Sequence, residues 1–272
     1  MKTRILFAAV GIPVLLIIIF VAPIWATVVM CAFLAAVASY ELMHAVGGEE
    51  WKLLPAMPVF AAAMTVGIGT ARLTAVLLGA AVLVIVVYGF VTAILTHGKA
   101  KQLSFATLAA GIISATLIAA GFASLAILRT IAAALTIAPL VGAFMSDTGA
   151  YFMGRACGKH KLCPAVSPNK TVEGSIGGFI GSIVGMIIYH LVVKATISMD
   201  LGWGIVIALG FAGSLLGQIG DLSFSVIKRE FGIKDYGTIF PGHGGVLDRF
   251  DSVLFVSPAY LLILAIILAA MV

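Results

Sequence analysis

The run LFAAVGIPVLLIIIFVAPIWATVVMCAFLAAVAS, from Leu6 to Ser39, contains no Asp, Glu, Lys or Arg. About 20 apolar residues are enough to cross a bilayer as a helix, so this run is long enough for two helices with a break near Pro23. Lys2 and Arg4 precede it as they would a secretory signal, but a signal core has only about 7 to 15 apolar residues. The run therefore predicts two membrane-spanning helices of the mature protein.

The rest of the chain has the same apolar character. Hydrophobic residues make up 62% of the 272 positions and charged residues only 10%, whereas soluble proteins carry about 25% charged residues. The sequence therefore predicts an all-α polytopic membrane protein with about nine transmembrane helices. Apolar runs between charged or turn-forming breaks place these helices at 5–22, 24–46, 54–70, 73–96, 103–127, 130–150, 174–193, 202–221 and 252–271.

The basic residues predict how the chain is oriented in the membrane. Lys and Arg collect in cytoplasmic loops, and with a cytoplasmic N-terminus only Arg72, Arg129 and Lys194 of the sixteen basic residues fall outside. We therefore expect the N-terminus to be cytoplasmic and the C-terminus to lie outside. The net charge of +5 alone could suggest a nucleic-acid partner. Where the basic residues lie matters more than their sum, and because they collect in loops on one side of the membrane we expect no such partner.

The acidic residues collect on the same side, with Asp200 as the exception. Attraction to anionic headgroups explains the cations but not the carboxylates, whereas a polar site at the cytoplasmic interface explains both. Two long cytoplasmic segments, Tyr151 to Glu173 and Ser223 to Asp251, are where such a site is expected. We therefore assign helix packing and a lipid cavity to residues 1–130, and transmembrane helices with the functional cytoplasmic loops to residues 131–272.

Carboxylates from two predicted helix ends could meet in this region. Asp221, Ser225 and Lys228 follow at i, i+4 and i+7, which places them on one face of a continuing helix. Asp248 and Asp251 follow at i and i+3, at the start of the last helix. Such an array suits Mg²⁺, which takes one or two carboxylates and completes its shell with water and phosphate oxygens. Alternatively, the last two aspartates cap a helix N-terminus and Asp221 pairs with Lys228.

The loop FPGHGGVLDR, residues 240–249, is rich in glycine. Gly242, Gly244 and Gly245 would let backbone N–H groups approach an anion beside a helix N-terminus, and His243 could donate to a phosphate. Phosphate binding is one interpretation of this loop. A tight re-entrant turn is the other.

A second long loop follows Asp147, which ends an apolar span much as Asp221 does. Basic side chains in this loop could clamp a polyphosphate, or could hold the loop against anionic headgroups. They are Arg155, Lys159, Lys161 and Lys170.

Glycines recur at every fourth position in two predicted spans. They are Gly177, Gly181 and Gly185 in one span, and Gly213 and Gly217 in the next. This spacing is typical of closely packed membrane helices, so we predict a packing role for these glycines.

The segment SVIKREFGIKDYGTIFPGHGGVLDRFD, from Ser225 to Asp251, resembles the signature of the phosphatidate cytidylyltransferases, also called CDP-diacylglycerol synthases. The matching positions are a serine, Lys-Arg, Lys-Asp, His-Gly-Gly and Asp-Arg-x-Asp. Upstream, DTGAYF, GR, GKHKL and SPNKTVEG are similar to the same family. The resemblance is specific in the C-terminal half, while the N-terminal half agrees only in its apolar spans.

The resemblance implies that the phosphate of phosphatidic acid attacks the α-phosphorus of CTP, giving CDP-diacylglycerol and pyrophosphate. It also implies dependence on one or two Mg²⁺ ions and allows a monovalent cation beside them. A homodimer among the lipids of a bacterial inner membrane is implied as well.

On this resemblance we expect Asp221, Asp248 and Asp251 to hold Mg²⁺, with Asp147 as a further carboxylate, and Lys228 to act beside them. The remaining matched residues would bind the substrates. They are Ser225, Arg229, Lys234, His243, Gly244, Gly245, Arg249, Lys170, Arg155 and Lys159.

Two other functions fit parts of the pattern. Carboxylates within apolar helices also occur in ion transporters, but we find neither charges near the bilayer midplane nor two halves that resemble each other. Another membrane cytidylyltransferase, acting on a different lipid phosphate, is the closer alternative.

Overall fold

The computed structural model describes residues 2–70, 74–239 and 244–270, and these residues are almost entirely helical. A 3₁₀ turn at Gly48–Leu53 and a π-helical turn at Ser114–Ile118 extend or join helices. A two-stranded antiparallel hairpin, β1 (Lys161–Cys163) and β2 (Ser167–Thr171), is the one sheet within the described residues. The α-helices are α1 (Lys2–Phe20), α2 (Ile24–Gly47), α3 (Met57–Gly69), α4 (Ala75–Thr96), α5 (Phe105–Ile113), α6 (Ala119–Ile131), α7 (Ala133–Cys157), α8 (Val172–Ile197), α9 (Trp203–Glu230) and α10 (Leu247–Ala270).

The helices confirm the predicted class. Because the π-helical turn makes α5 and α6 one continuous rod, the described residues form nine helical segments, and each coincides with one predicted span. Seven of these segments are long and apolar enough to cross a membrane. The third, α3, has only 13 residues, fewer than a full span needs. The orientation of the two termini stays a prediction.

Several helix ends differ from the predicted ones. The sequence predicts ends near residues 150 and 221, but α7 continues to Cys157 and α9 to Glu230. The last helix begins at Leu247 instead of residue 252. Apolar runs mark where a helix lies in hydrocarbon, whereas the helical hydrogen bonds continue into polar residues beyond it. The two long loops are therefore shorter than expected, and the first contains the hairpin that an all-α prediction missed.

The chain divides into two compact units. The first unit comprises Met1–Ile131 and Glu230–Phe250, and the second comprises Ala132–Arg229 and Asp251–Val272. The first unit packs around a buried cluster that includes Met43, Leu54, Met57, Ile85 and Leu108. Methionine side chains are flexible enough to fill the irregular space between short helices, which suits the interrupted helices of this unit.

Glycines hold α7 and α8 together in the second unit. A Cβ added at Gly181 would lie 2.9 Å from the Cα atom of Gly149, and one added at Gly177 would lie 2.7 Å from the Gly149 carbonyl oxygen. A Cβ at Gly185 would crowd the side chain of Met145. Helices in lipid associate through such close backbone contacts because water is not present to drive apolar surfaces together. The predicted packing role of the glycine repeat is confirmed here.

Replacing Gly181 by alanine should destabilise the second unit, since the new methyl group would press on the Gly149 backbone. Crowding of this kind costs about 1 to 3 kcal/mol, so the unfolding temperature in detergent should fall. Gly79→Ala on α4 is the matched control, because nothing lies within 4 Å of its added Cβ. That control should gain up to about 1 kcal/mol of helix propensity. Equal unfolding temperatures for the two variants would contradict the close packing.

Candidate active site

A cavity of about 530 Å³ lies in the second unit among α7, α8, α9 and the β-hairpin. Charged and polar side chains line part of its wall, although the helices that form it are apolar along most of their length. Acidic, basic and amide groups therefore meet in one place at one end of these helices. The polar side chains in the wall include Asp147, Arg155, Asn169, Lys170, Gln218 and Asp221.

Asp221 on α9 has partners for both of its carboxylate oxygens. Oδ2 forms an ion pair with Lys170 Nζ, which β2 carries to this position. Oδ1 accepts a hydrogen bond of 3.3 Å from Ser225 Oγ, one helical turn later. The two side chains of the ion pair are only 28% and 27% exposed, so solvent screens them less than a surface pair. The predicted shared face of Asp221 and Ser225 is thus confirmed, and Lys170 adds a cation to it.

Two further carboxylates lie near Asp221. Asp147 on α7 and Asp251 on α10 each interact electrostatically with it. α10 packs closely here, because a Cβ on Gly220 of α9 would lie 2.7 Å from the Asp251 carbonyl oxygen. Lys170 lies within electrostatic reach of Asp147, and Lys228 of Asp251. Carboxylates from three helices therefore share one region of the second unit with two lysines.

These oxygen donors suit a hard divalent cation. Mg²⁺ needs only one or two carboxylates from a protein, since water and phosphate oxygens complete its octahedral shell. Across the part of the chain that the structure describes, no three His, Cys, Asp or Glu side chains stand close enough together to enclose an ion by themselves. The arrangement therefore fits an ion that shares its shell with a phosphate ligand better than one held by protein alone.

The β-hairpin is fixed beside the cavity by Glu173, in the first turn of α8. Its carboxylate accepts hydrogen bonds from the backbone N–H groups of Lys159 (3.1 Å) and His160 (3.2 Å), and it contacts His160 Nδ1 at 2.6 Å. Thr171 Oγ1 accepts the N–H of Gly174 at 3.0 Å and so caps α8. Lys170 precedes this cap, which explains how a residue on a short strand is held firmly enough to face Asp221.

The other basic residues of this loop are distributed around the hairpin. Arg155 lies in the cavity wall, with Nη1 donating to Tyr151 Oη at 3.0 Å. Lys161 donates to the Pro168 carbonyl oxygen at 2.6 Å, and Arg229 Nε donates to the Val166 carbonyl oxygen at 3.0 Å. Arg229, predicted to bind substrate, thus ties the end of α9 to the hairpin turn. Lys159 is exposed and lies outside the cavity wall.

A chain of hydrogen bonds continues from the cavity into the helix bundle. Gln218, one turn before Asp221, accepts from Ser175 Oγ at 2.5 Å and donates to Ser214 Oγ at 2.8 Å. Ser214 in turn lies 2.9 Å from Ser146 Oγ on α7. Gly178 leaves room for this network, because its Cβ would lie 3.0 Å from both Gln218 Nε2 and Ser146 Oγ. The base of the cavity is therefore cross-linked between three helices.

The remaining predicted residues belong to the first unit. Asp248 Oδ2 accepts hydrogen bonds from the N–H groups of Tyr236 (2.8 Å) and Gly245 (3.0 Å). Gly244 has φ +84, a conformation that favours glycine, and its Cβ would meet Asp248. The N–H of Gly245 is therefore directed at a carboxylate of the chain itself. Phosphate binding by the loop stays a prediction.

Lys234 and Arg249 are exposed. His243 and Gly242 lie outside the described residues.

A model of the cytidylyltransferase family matches residues 2–267 of this chain. The chain belongs to the cytidylyltransferase family. Among curated proteins, phosphatidate cytidylyltransferases of Staphylococcus saprophyticus, Staphylococcus haemolyticus and Staphylococcus aureus are similar to it, each with 48% identity over 115 residues. The similar stretch covers 42% of this chain and 43% of each of these relatives.

Two polar residues of this chain were not among the predicted site residues. Gln218 lies on the same face of α9 as Asp221. It precedes Asp221 by one helical turn, and this spacing in the sequence could have identified it as a site residue. Glu41 is 2% exposed on α2. It is the first charged residue after the apolar run that begins at Leu6, and a carboxylate so close to hydrocarbon is a signal for function.

Replacing Gln218 by methionine should destabilise the second unit. Methionine has a similar length but would leave the hydroxyl groups of Ser175 and Ser214 without their amide partner. Leaving such groups unsatisfied costs about 1 to 3 kcal/mol, and the unfolding temperature in detergent should fall accordingly. Gln102→Met is the control, because Gln102 accepts one N–H, from Gly98, at an exposed position. If both substitutions had the same small effect, the stability of the second unit would not depend on this network.

Proposed function

We propose that this chain is a phosphatidate cytidylyltransferase that acts in a bacterial cytoplasmic membrane. CTP and phosphatidic acid would be its substrates, and CDP-diacylglycerol and pyrophosphate its products. The observation that carries the proposal is the 530 Å³ cavity, in which carboxylates and basic groups meet at one end of membrane-spanning helices. Membership of the cytidylyltransferase family and the names of the similar Staphylococcus proteins support it.

The surroundings of the cavity suit one lipid and one water-soluble substrate. Ser175 on α8 and Gln218 on α9 present polar groups to the cavity. Ile176 and Ile180, also on α8, are 55% and 51% exposed. An apolar helix face beside a charged cavity allows acyl chains to stay in lipid while a phosphate headgroup reaches the polar side. A polyanionic nucleotide would approach the same cavity from water.

The reaction needs positioning more than acid–base chemistry. An ionised phosphate oxygen of phosphatidate attacks the α-phosphorus of CTP, and the bond from that phosphorus to the bridging oxygen breaks. Pyrophosphate leaves with the electron pair of that bond. Because the attacking phosphate is already ionised at neutral pH, no strong general base is required. The chain therefore has to bring two groups of like charge together and neutralise them.

Lys170 and Arg155 would carry out part of this neutralisation. Both line the cavity, and the Lys170 ammonium pairs with Asp221. A lysine ammonium is a compact point charge, whereas a guanidinium can grip two phosphate oxygens at once. We assign phosphate positioning to these two residues, and propose the same role for Lys228, Arg229, Lys234 and Arg249 from their places in the family-like segment.

Asp221 and Asp251 would hold Mg²⁺ in this proposal, with Asp147 as a further carboxylate of the second unit. Asp248 is included because it stands three residues before Asp251 in the Asp-Arg-x-Asp segment. Bound Mg²⁺ would supply positive charge to the triphosphate and to the leaving pyrophosphate. The number of ions, a monovalent cation and a homodimer are further parts of the proposal.

Asp221→Asn should lower the transfer of label from CTP to phosphatidate by about 100-fold or more, because it removes a charge at the centre of the proposed site. Purified protein in detergent, with radiolabelled CTP and phosphatidate, is the assay. Asp200→Asn is the control. Lys194 donates to Asp200 at 2.6 Å and lowers the pKa of this acid, so Asp200 is a second aspartate that is paired with a lysine. Similar turnover in wild type and Asp221→Asn would reject the role of Asp221.

Chelation tests the substrate and ion assignments together. Wild-type protein should attach label to phosphatidate, and EDTA should abolish this transfer until Mg²⁺ is restored. Label attached only to another lipid phosphate would favour the alternative acceptor. Label attached to no lipid at all would reject cytidylyl transfer and favour transport.

A further inference from the structure

Glu41 is a buried carboxylate that caps a distant helix. Its two oxygens accept hydrogen bonds from the backbone N–H groups of Val246 (3.1 Å) and Leu247 (2.9 Å), more than 200 positions later in the chain. The first N–H groups of a helix have no partner within that helix, and the N-terminal end of its dipole favours a negative charge. Glu41 on α2 therefore fixes the point at which α10 begins.

Two glycines leave the space that this contact needs. A Cβ on Gly237 or on Gly245 would collide with the Glu41 carboxylate. Neither glycine has a positive φ, so the requirement for glycine at these positions is one of space and not of backbone conformation. The loop before α10 is thus fitted closely around one side chain of α2.

The segment that Glu41 holds also carries Asp248. The peptide group of Gly245 donates to Asp248 Oδ2 at 3.0 Å, and the next peptide group, that of Val246, donates to Glu41. Tyr236, which is 6% exposed, donates its N–H to Asp248 as well. The two carboxylates therefore bind consecutive peptide groups, so a displacement of Glu41 would move the donors that orient Asp248.

We propose that Glu41 is a positioning residue, which holds the start of α10 so that Asp248 keeps the orientation its role requires. The inference rests on the proposed function, in which Asp248 takes part in a Mg²⁺-dependent reaction. A purely structural role for Glu41 would change only the amount of folded, active protein. A positioning role changes the Mg²⁺ concentration at which activity is half-maximal, because the geometry of each active molecule is altered.

Three variants separate these roles. Glu41→Gln keeps the side-chain volume but offers one acceptor oxygen in place of two. Gly237→Ala keeps Glu41, but the added Cβ would collide with the Glu41 carboxylate and displace it. Glu50→Gln is the matched control: Glu50 also accepts a backbone N–H and a hydroxyl group, from Ser104 (2.9 Å) and Thr107 (2.8 Å).

Two measurements are needed on full-length protein in detergent. Hydrogen–deuterium exchange of peptides covering residues 236–250, without Mg²⁺ or substrate, reports directly on the Val246 and Leu247 amides. Mg²⁺ titration of cytidylyl transfer gives the half-saturating concentration and, separately, the maximal rate. Glu41→Gln and Gly237→Ala should both speed exchange in this segment by about tenfold and raise the half-saturating Mg²⁺ concentration several-fold. Glu50→Gln should leave both values at those of the wild type.

A lower maximal rate with an unchanged half-saturating concentration in Glu41→Gln would overturn the positioning role. If that variant does not fold, Gly237→Ala decides, and wild-type exchange and Mg²⁺ dependence in it would overturn the inference equally. Failure of the proposed function would look different, since wild-type protein would then show no Mg²⁺-dependent transfer at all. In that case the exchange rates alone decide whether Glu41 fixes the start of α10.

Discussion

A carboxylate at the edge of hydrocarbon must find compensation within the protein. Each ionised group that leaves water loses several kcal/mol of hydration unless hydrogen bonds or an opposite charge replace it. In this chain Asp221 is paired with Lys170 and Ser225, and Glu41 accepts two peptide N–H groups. β2 and the start of α10 supply the groups that meet this requirement. The polar geometry of the candidate site is thus determined by how its acids are compensated.

Glycine packing makes these compensating contacts possible. Because α7 and α8 approach so closely at Gly149 and Gly181, the serine and glutamine side chains of three helices can reach one another near the cavity. Side chains of ordinary size between the helices would separate the same groups beyond hydrogen-bonding distance. The small residues therefore serve the site indirectly, by bringing polar groups within reach in a bundle that lipid surrounds.

The helices could be predicted because the signal for each one is local. Apolar runs located nine helical segments, and the spacing of Asp221 and Ser225 correctly placed both on one face. Contacts between distant parts of the chain could not be predicted in this way. The pairing of Lys170 with Asp221 depends on a hairpin of eleven residues, Lys161 to Thr171, which is too short to show a strand pattern. The capping of α10 by Glu41 depends on how α2 packs, which no local pattern records.

The ion pair between Lys170 and Asp221 also bears on how the protein is made. A membrane protein is inserted and folded before it meets its substrates, and an uncompensated acid would oppose the docking of its helices at that stage. Here an ammonium from the chain itself neutralises the acid. The helices around this acid can therefore dock without a cation from solution, so newly inserted protein can fold before it binds any ligand.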